Sequence, residues 1–319
     1  MANDRVEISI IAPMYNEAAV IDRFFEQIQY YLAQITQSYE IICVNDGSTD
    51  QTWQKLVAYN QQDSRIKLIN LSRNFGKEAA LTAGIDHSTG QSVIPIDCDL
   101  QDPPELIIEM YQKWQGGFDV VLAKRIDRQS DSFIKRLTSK IFYSTMERVS
   151  DIDIPNDVGD FRLLDRKVIN CLKQFQEKNR FMKGIFASLG FTTCTVEYTR
   201  PERVAGETKW NYLSLYRLAI DGIVSFSSFP LKLWSYIGAS ISLMAFFYGF
   251  FIMIKTLILG VDVPGYASLM VVILFMSGLI LLCLGMIGEY LARVFIEVKD
   301  RPVYLVMEKK GFLSTRDAP

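Results

Sequence analysis

The sequence predicts an α/β catalytic domain with a mainly parallel sheet, followed by a hairpin of two membrane-spanning helices. Three observations support this prediction. Strand patterns alternate with helical patterns between residues 6 and 123, several of these strands end in polar residues, and two long runs without a charge follow later. Alternation of this kind places strands parallel in one sheet, with helices covering both of its faces.

The alternating patterns predict five strands and four helices. Short runs rich in β-branched residues predict strands at 6–12, 40–44, 66–71, 92–96 and 119–123. Helical patterns between them predict helices at 17–36, 50–60, 77–85 and 104–115. Because ligands of such sheets bind at the carboxyl ends of the strands, the residues that follow each strand are the first candidates for a site.

The composition argues against several classes of protein. The net charge of −2 provides no basic field, so we expect no nucleic acid partner. The five cysteines form no CxxC pair, which argues against a zinc knuckle or a thioredoxin motif. Scattered thiols are typical of a cytoplasmic compartment, and the polar start of the chain has no signal-peptide pattern. The single histidine, His87, cannot build a histidine-based metal site.

Two apolar runs, at 233–254 and 263–288, predict the membrane hairpin. About 20 helical residues cross a hydrocarbon layer of roughly 30 Å, so both runs are long enough. Lysines and arginines flank the hairpin on its outer ends, which predicts an inner-membrane protein with both termini in the cytoplasm. Small residues in both runs favour close helix contacts and a homo-oligomer.

These patterns divide the chain into four parts. The catalytic domain is predicted at 1–209, and amphipathic helices at the membrane interface are predicted at 210–230. The membrane segment is predicted at 231–292, with spans at about 233–257 and 266–289, and a cytoplasmic tail follows at 293–319.

The acidic pair Asp97 and Asp99, directly after an apolar strand, is the centre of the functional prediction. A buried carboxylate without a partner is costly, and a divalent cation with oxygen ligands is a natural partner. Mg²⁺ or Mn²⁺ at this position would also hold a diphosphate. Gln101 could add a carbonyl oxygen or orient a water ligand, whereas Asp102 has the pattern of a helix N-cap.

Two other strand ends carry candidate nucleoside contacts. Asp46, after the second strand, could accept a hydrogen bond from a base N–H, and Tyr15, after the first, could pack on the face of the base. Residues 48–50 also fit a turn and a helix N-cap. Neither loop contains GxGxxG, and the chain contains no GxxxxGKS, so a dinucleotide-binding dehydrogenase and a P-loop ATPase are unsupported.

Six blocks in this order resemble family 2 glycosyltransferases with the GT-A fold, a Rossmann-like mainly parallel sheet. They are ISIIAPMYNE, NDGSTDQT, LSRNFGKEAALTAG, DCDLQDPPE, GDFRLLDR and RVAGETKW. The hairpin and the segment GEYLARVFIEVKDRPVYLV narrow the resemblance to bacterial polyisoprenyl-phosphate glycosyltransferases of the bactoprenol glucosyltransferase type, related to dolichol-phosphate mannose synthases. The chain lacks the QxxRW motif of processive relatives, so polymer synthesis is not expected.

The resemblance implies a donor site at the strand ends. One set of residues would hold the nucleoside or lie near it: Pro13, Tyr15, Glu17, Asp46 and Lys77. The metal and diphosphate would bind Asp97, Asp99 and Gln101, and Arg203 and Lys209 would neutralise the phosphates of the nucleotide sugar.

The resemblance also implies the chemistry. Arg125 and Arg136 would bind the acceptor phosphate, and Asp157 or Asp160 would contact the donor sugar or the reacting phosphate. With Asp99 at the metal, Asp157, Arg125 and Arg136 are the catalytic candidates. The expected reaction is an inverting transfer of a hexose, glucose from UDP-glucose, to polyprenyl (undecaprenyl) phosphate. A mannosyl or aminosugar donor and a non-catalytic membrane scaffold remain the alternatives.

Overall fold

The computed structural model describes residues 6–126, 158–175, 177, 182–199, 229–259 and 265–312. Its first part alternates strands and helices in the order β1 Ile8–Met14, α1 Ile21–Leu32, β2 Tyr39–Asn45, α2 Thr52–Gln62, β3 Ile66–Leu71, α3 Lys77–His87, β4 Ser92–Pro95, α4 Leu106–Gln115 and β5 Val120–Arg125. Strands and helices thus alternate where the sequence predicted them.

The later part completes the sheet and adds two long helices. It contains β6 Val158–Asp165, α5 Arg166–Leu172, α6 Met182–Ser188, β7 Thr193–Tyr198, α7 Phe229–Leu259, α8 Tyr266–Val298 and β8 Val306–Lys310. The sequence did not predict β6, β7 or β8. The predicted interfacial segment 210–230 lies outside the described residues except for the first two residues of α7.

The described strands form one eight-stranded sheet in the order β7-β5-β6-β4-β1-β2-β3-β8. β1 pairs parallel with β2 and β4, β2 with β3, and β5 with β7, whereas β6 and β8 run antiparallel to their neighbours. The predicted α/β class with a mainly parallel sheet is confirmed. The carboxyl ends of β1, β2, β4 and β5 lie at one edge, where the amino end of β6 also lies.

Helices cover both faces of this sheet, as the apolar strands require. In β1, Ile8 and Ile10 belong to the core on the side of α1, α2 and α4, whereas Ile11 belongs to the core on the side of α3, α5 and α6. This follows from the two-residue period of a strand. α3 packs especially close, because a Cβ atom at Gly84 would lie 2.2 Å from Cγ2 of Ile11.

The first helix is shorter than predicted, since residues 17–20 form a loop before α1. The backbone N–H of Glu17 donates to Oγ1 of Thr52 at 2.9 Å, and that of Ala18 donates to Oδ2 of Asp50 at 3.2 Å. Side chains from the start of α2 thus satisfy amides that a longer α1 would have left at its own amino end.

Helices α7 and α8 differ from the other helices because they are long, apolar and exposed. The stretches Tyr236–Leu259 and Val271–Val298 are each long and apolar enough to cross a membrane, and they are not buried inside the protein. Phe246 and Leu281, for example, are each 68% exposed. A pair of core helices would bury such side chains, so their exposure supports association of these two helices with a membrane.

Candidate functional site

The loops after β1 and β2 interlock at the carboxyl edge of the sheet. Asn16 adopts a left-handed conformation with φ 56°, which asparagine tolerates better than most residues. Its N–H donates to Oγ of Ser48 at 2.9 Å, and its side-chain oxygen accepts from N–H of Thr49 at 2.8 Å. These bonds place Tyr15, which is 38% exposed, at the surface beside the loop after β2.

Asp46 anchors a third loop, residues 72–76, which we call the donor loop. Its carboxylate is buried and accepts hydrogen bonds from the N–H groups of Phe75 at 2.7 Å and Gly76 at 2.9 Å. Burial raises the pKa of Asp46 more than these two bonds lower it. A carboxylate has about four lone-pair sites, so Asp46 retains capacity for the predicted contact with a base.

Glycine is required where the donor loop crosses the loop after β2. Gly47 has φ 66°, and a Cβ atom there would lie 2.5 Å from the backbone of Arg73 and Asn74. Any side chain would therefore push the donor loop away from Asp46. This close approach gives a physical reason for the Asn-Asp-Gly sequence at this strand end.

Lys77 joins two carboxylates at the amino end of α3. Its ammonium lies 2.8 Å from Oδ2 of Asp97, after β4, and 2.8 Å from Oδ2 of Asp160, on β6. Desolvation lowers the pKa of Lys77, but the charges of Asp160 and Asp97 outweigh it and raise the pKa above its ordinary value. The structure therefore places Lys77 at the acidic pair, where the sequence had only placed it near the nucleoside.

Asp99 and Gln101 form a tight turn after Asp97. Oδ1 of Asp99 accepts from the N–H of Gln101 at 3.1 Å, and Leu100 between them has φ 55°. A left-handed leucine is costly, and such conformations cluster at functional sites. Glu105 immediately precedes α4 and provides no side-chain cap, and Asp102, the predicted N-cap, accepts a hydrogen bond from the hydroxyl of Tyr198 at 2.8 Å.

The acidic cluster has the oxygen ligands and the charge for a divalent cation. The ion-paired groups of Asp97, Asp160 and Lys77 carry a formal charge of −1, and Asp99, two residues after Asp97 in the chain, brings the sum to −2. Within the described ranges, no three acidic, histidine or cysteine side chains come together as a group that could hold a metal ion. Mg²⁺ and Mn²⁺ commonly take only one or two protein carboxylates and complete their coordination with phosphates and water, so the arrangement fits.

The structure brings some of the other predicted residues to this edge. Pro13 and Glu17 belong to β1 and the loop that follows it, and Arg125 ends β5 at the same edge as Asp97. Arg136, Asp157, Arg203 and Lys209 lie outside the described residues.

Arg162 is a residue that the sequence reasoning missed. It lies on β6 two positions after Asp160 and is buried, with its guanidinium 4.3 Å from the ring centre of Phe186. One of its terminal nitrogens donates to the carbonyl of Gly159 at 2.6 Å, and desolvation lowers its pKa to about 10. A charged residue inside the apolar run of this strand was the available signal, because arginine is almost never fully buried unless it is paired.

Comparison with known proteins decides the class. The model of glycosyl transferase family 2 matches residues 9–173, which contain the interlocked loops and the acidic cluster. The chain belongs to glycosyltransferase family 2. It is therefore a glycosyltransferase, and a second model, the GtrB C-terminal hairpin, matches residues 229–294 and so includes α7.

Relatives of this family 2 glycosyltransferase match it over nearly their whole length. An uncharacterised glycosyltransferase of Synechocystis sp. is 53% identical, over 96% of each chain. A prophage bactoprenol glucosyl transferase homologue of Escherichia coli is 44% identical, over 96% of this chain and 100% of the relative. A mannosyltransferase of Pyrobaculum calidifontis, solved with GDP-mannose and Mn²⁺, is 16% identical with a TM-score of 0.44, over 93% of this chain and 88% of the other.

Proposed function

We propose that this glycosyltransferase moves glucose from UDP-glucose to a polyprenyl phosphate at the cytoplasmic face of the inner membrane. The observation that carries the proposal is an acidic site at the carboxyl edge of a family 2 domain whose chain continues into two exposed apolar helices. Full-length relatives named bactoprenol glucosyl transferases support this acceptor and this sugar.

The donor would bind across the strand ends. Tyr15 and Asp46 would contact the base, with Pro13 and Glu17 shaping the loop beside it. Asp97 and Asp99 would hold Mg²⁺ or Mn²⁺, with Gln101 orienting a water ligand. The cation, when bound, neutralises charge on the diphosphate leaving group.

A phosphate acceptor reduces the need for general-base catalysis by the protein. The second pKa of a phosphate monoester is about 6, so the acceptor is largely dianionic at neutral pH and requires no strong general base. The protein must instead hold this anion beside a second one, which requires cations. Arg125 is our candidate at the described edge, together with Arg136, Arg203 and Lys209.

The sugar would lie between the two phosphates for an inverting displacement. Lys77 holds the carboxylate of Asp160 beside that of Asp97, and we expect the anomeric carbon to lie at this edge. In this proposal Asp160, or Asp157 before it in the chain, contacts the donor sugar or positions the attacking phosphate. The bond from the anomeric carbon to the acceptor oxygen forms on the face opposite to the departing nucleoside diphosphate.

The hairpin accounts for access to a lipid acceptor. Withdrawing a polyprenyl chain from the bilayer costs about 0.8 kcal/mol per CH₂, so the catalytic domain must come to the membrane. β8 follows α8 in the chain and pairs with the catalytic sheet, which supports placing the carboxyl end of α8 on the catalytic, cytoplasmic side. Open glycines such as Gly249 and Gly278 leave room for a second copy, and we propose a homo-oligomer.

A transfer assay tests the proposal and its alternatives. The purified full-length chain in vesicles with undecaprenyl phosphate is given labelled UDP-glucose, GDP-mannose or a UDP-aminosugar, each with Mg²⁺, Mn²⁺ or EDTA. We expect glucose transfer that the chelator abolishes. Transfer from another donor supports the mannosyl or aminosugar alternative, and no transfer from any donor supports the non-catalytic scaffold.

A further inference from the structure

The segment 301–312, which we call the C-terminal tail, returns from the membrane helices to the sheet. Within it, β8 pairs antiparallel with β3, so that Val306 lies opposite Leu71 and Glu308 lies opposite Asn70. Beyond this ladder, the N–H of Ser72 donates to the carbonyl of Leu305 at 2.9 Å. The tail therefore contacts the chain at the residue where the donor loop begins.

Side chains hold the tail at both ends. The hydroxyl of Tyr304 donates to Oδ2 of Asp86 at 2.9 Å, and the ring of Phe312 packs edge-on against His87 with the ring centres 5.7 Å apart. Gly311, with φ 78°, passes so close to the domain that a Cβ atom would lie 2.8 Å from Nδ2 of Asn60. These contacts define one docked position for the tail.

The docked tail is continuous with the donor site. Tyr304 and Val306 pack against the same apolar cluster as Phe75, whose N–H donates to Asp46. Asn70, opposite Glu308 in the ladder, accepts a hydrogen bond at 2.7 Å from the side chain of Asn45, the residue before Asp46. The tail thus supports the donor loop both directly and through β3.

The connection between the membrane helix and this contact is short. α8 ends at Val298, and Leu305 is seven residues later. Because an extended chain spans at most about 3.6 Å per residue, Leu305 lies within about 25 Å of the end of α8. This length limits how far the donor loop can be from the membrane.

We propose that the C-terminal tail is a positioning element of the reaction, which holds the donor loop in its binding shape and ties it at a fixed distance from the membrane hairpin. The inference rests on the proposed function for its lipid acceptor. It assigns to the tail two separable effects, one on the affinity for the nucleotide and one on the rate of transfer to the long-chain acceptor.

The first experiment lengthens the connection between α8 and the docked C-terminal tail and leaves every tail contact in place. Six Gly/Ser residues are inserted between Asp300 and Arg301 of the full chain, which adds up to about 20 Å of reach. We expect unchanged affinity for UDP and unchanged transfer to a water-soluble short-chain prenyl phosphate. We expect transfer to undecaprenyl phosphate in vesicles to fall about tenfold in kcat, because a longer connection lowers the fraction of time in which the site is correctly placed for the lipid phosphate. A wild-type kcat for the long-chain lipid in the insertion variant would refute the proposed role of the tail in fixing the distance between the donor loop and the membrane hairpin.

The second experiment loosens the tail with a matched pair of variants. Gly311→Ala and Gly190→Ala both put a side chain at a left-handed glycine, with φ 78° and 66°, but only the alanine at 311 would contact Asn60 and Ile66. We expect Gly311→Ala to raise the Kd for UDP and the KM for the nucleotide sugar about threefold to tenfold, with kcat on the short-chain acceptor retained. An unchanged Kd in Gly311→Ala, or an equal rise in Gly190→Ala, would overturn the support of the donor loop.

The outcomes separate this inference from the proposed function. If the wild-type chain transfers no sugar to any prenyl phosphate, the proposed function fails, and UDP affinity in the glycine pair still tests the donor loop. If the wild-type chain is active and neither variant differs from it, the proposed function stands and the role of the tail is refuted.

Discussion

Removal of the Lys77 ammonium should strengthen binding of a divalent cation at the acidic cluster and should lower turnover. Lys77 lies 2.8 Å from both Asp97 and Asp160, so it shares a carboxylate with the predicted cation. In Lys77→Met the four groups of the acidic cluster change from a formal charge of −2 to −3. The side chain is 44% exposed, so water screens much of this difference.

The expected magnitude follows from Coulomb's law at the dielectric constant of water. A divalent cation on Asp97 would lie about 5 Å from the Lys77 ammonium, a repulsion of about 1.7 kcal/mol, which salt reduces. Loss of this repulsion should lower the Kd for Mn²⁺ by up to about tenfold when no nucleotide is present. Turnover should nevertheless fall, because Asp160 loses the group that holds it beside Asp97.

Electron paramagnetic resonance of free Mn²⁺ with the detergent-solubilised full chain measures this Kd. Lys55→Met is the matched control, because Lys55 is also paired with an aspartate, Asp22 at 2.7 Å, but lies on α2 away from the acidic cluster. The gain in Lys77→Met should shrink as ionic strength rises. Unchanged or weaker Mn²⁺ binding in Lys77→Met, relative to Lys55→Met, would refute the placement of the cation at Asp97.

Three further predictions test the site and the core. Asp99→Ala should lose at least about 100-fold in turnover with an unchanged melting temperature, and wild-type rates in this variant with chelator present would remove the metal from the mechanism. Desolvation raises the pKa of the buried Glu40, but hydrogen bonds from Lys67, Ser9 and Thr89 lower the pKa below its ordinary value of 4.5. The ionised Glu40 therefore stabilises the fold above about pH 4.5, and this contribution is lost as the pH falls. Glu40→Gln should therefore destabilise by about 3 kcal/mol at pH 7 and by progressively less below pH 4.5, as measured by urea unfolding, and a pH-independent difference would contradict this. Gly84→Ala should cost about 1–3 kcal/mol, because its Cβ would overlap Cγ2 of Ile11, and the double mutant with Ile11→Ala should be less destabilised than the sum of the two single mutants; a purely additive double mutant would argue against the contact.

The sheet was predictable where strands are buried on both faces. β1, β2 and β4 are apolar runs with polar ends, so their positions and the carboxyl edge follow from pattern alone. β8 gave no such signal, because the sequence VMEKK carries three charged residues and lies at a sheet edge, where lysine and glutamate are common. Its partner strand is also remote in sequence, so nothing local to the tail indicates the pairing.

The candidate site was predictable as a set of strand ends but not as a set of contacts. Asp97, Asp99 and Asp46 follow strands whose carboxyl ends must share an edge. The two ion pairs of Lys77 depend on where α3 begins and on the antiparallel pairing of β6 with β4. Neither is visible in the local sequence pattern. Arg162 was missed for the same reason, since its burial depends on Phe186 from a later helix.

The position of β8 has a consequence for biosynthesis. Asp86 and its partner Tyr304 are 218 residues apart in the chain, and the hairpin lies between them. On a ribosome, β3 would leave the exit tunnel long before the strand that covers its edge, so an unpaired edge would persist while the hairpin is inserted. Such edges favour wrong pairing between chains. Slow or failed membrane insertion should therefore make the nascent domain prone to aggregate.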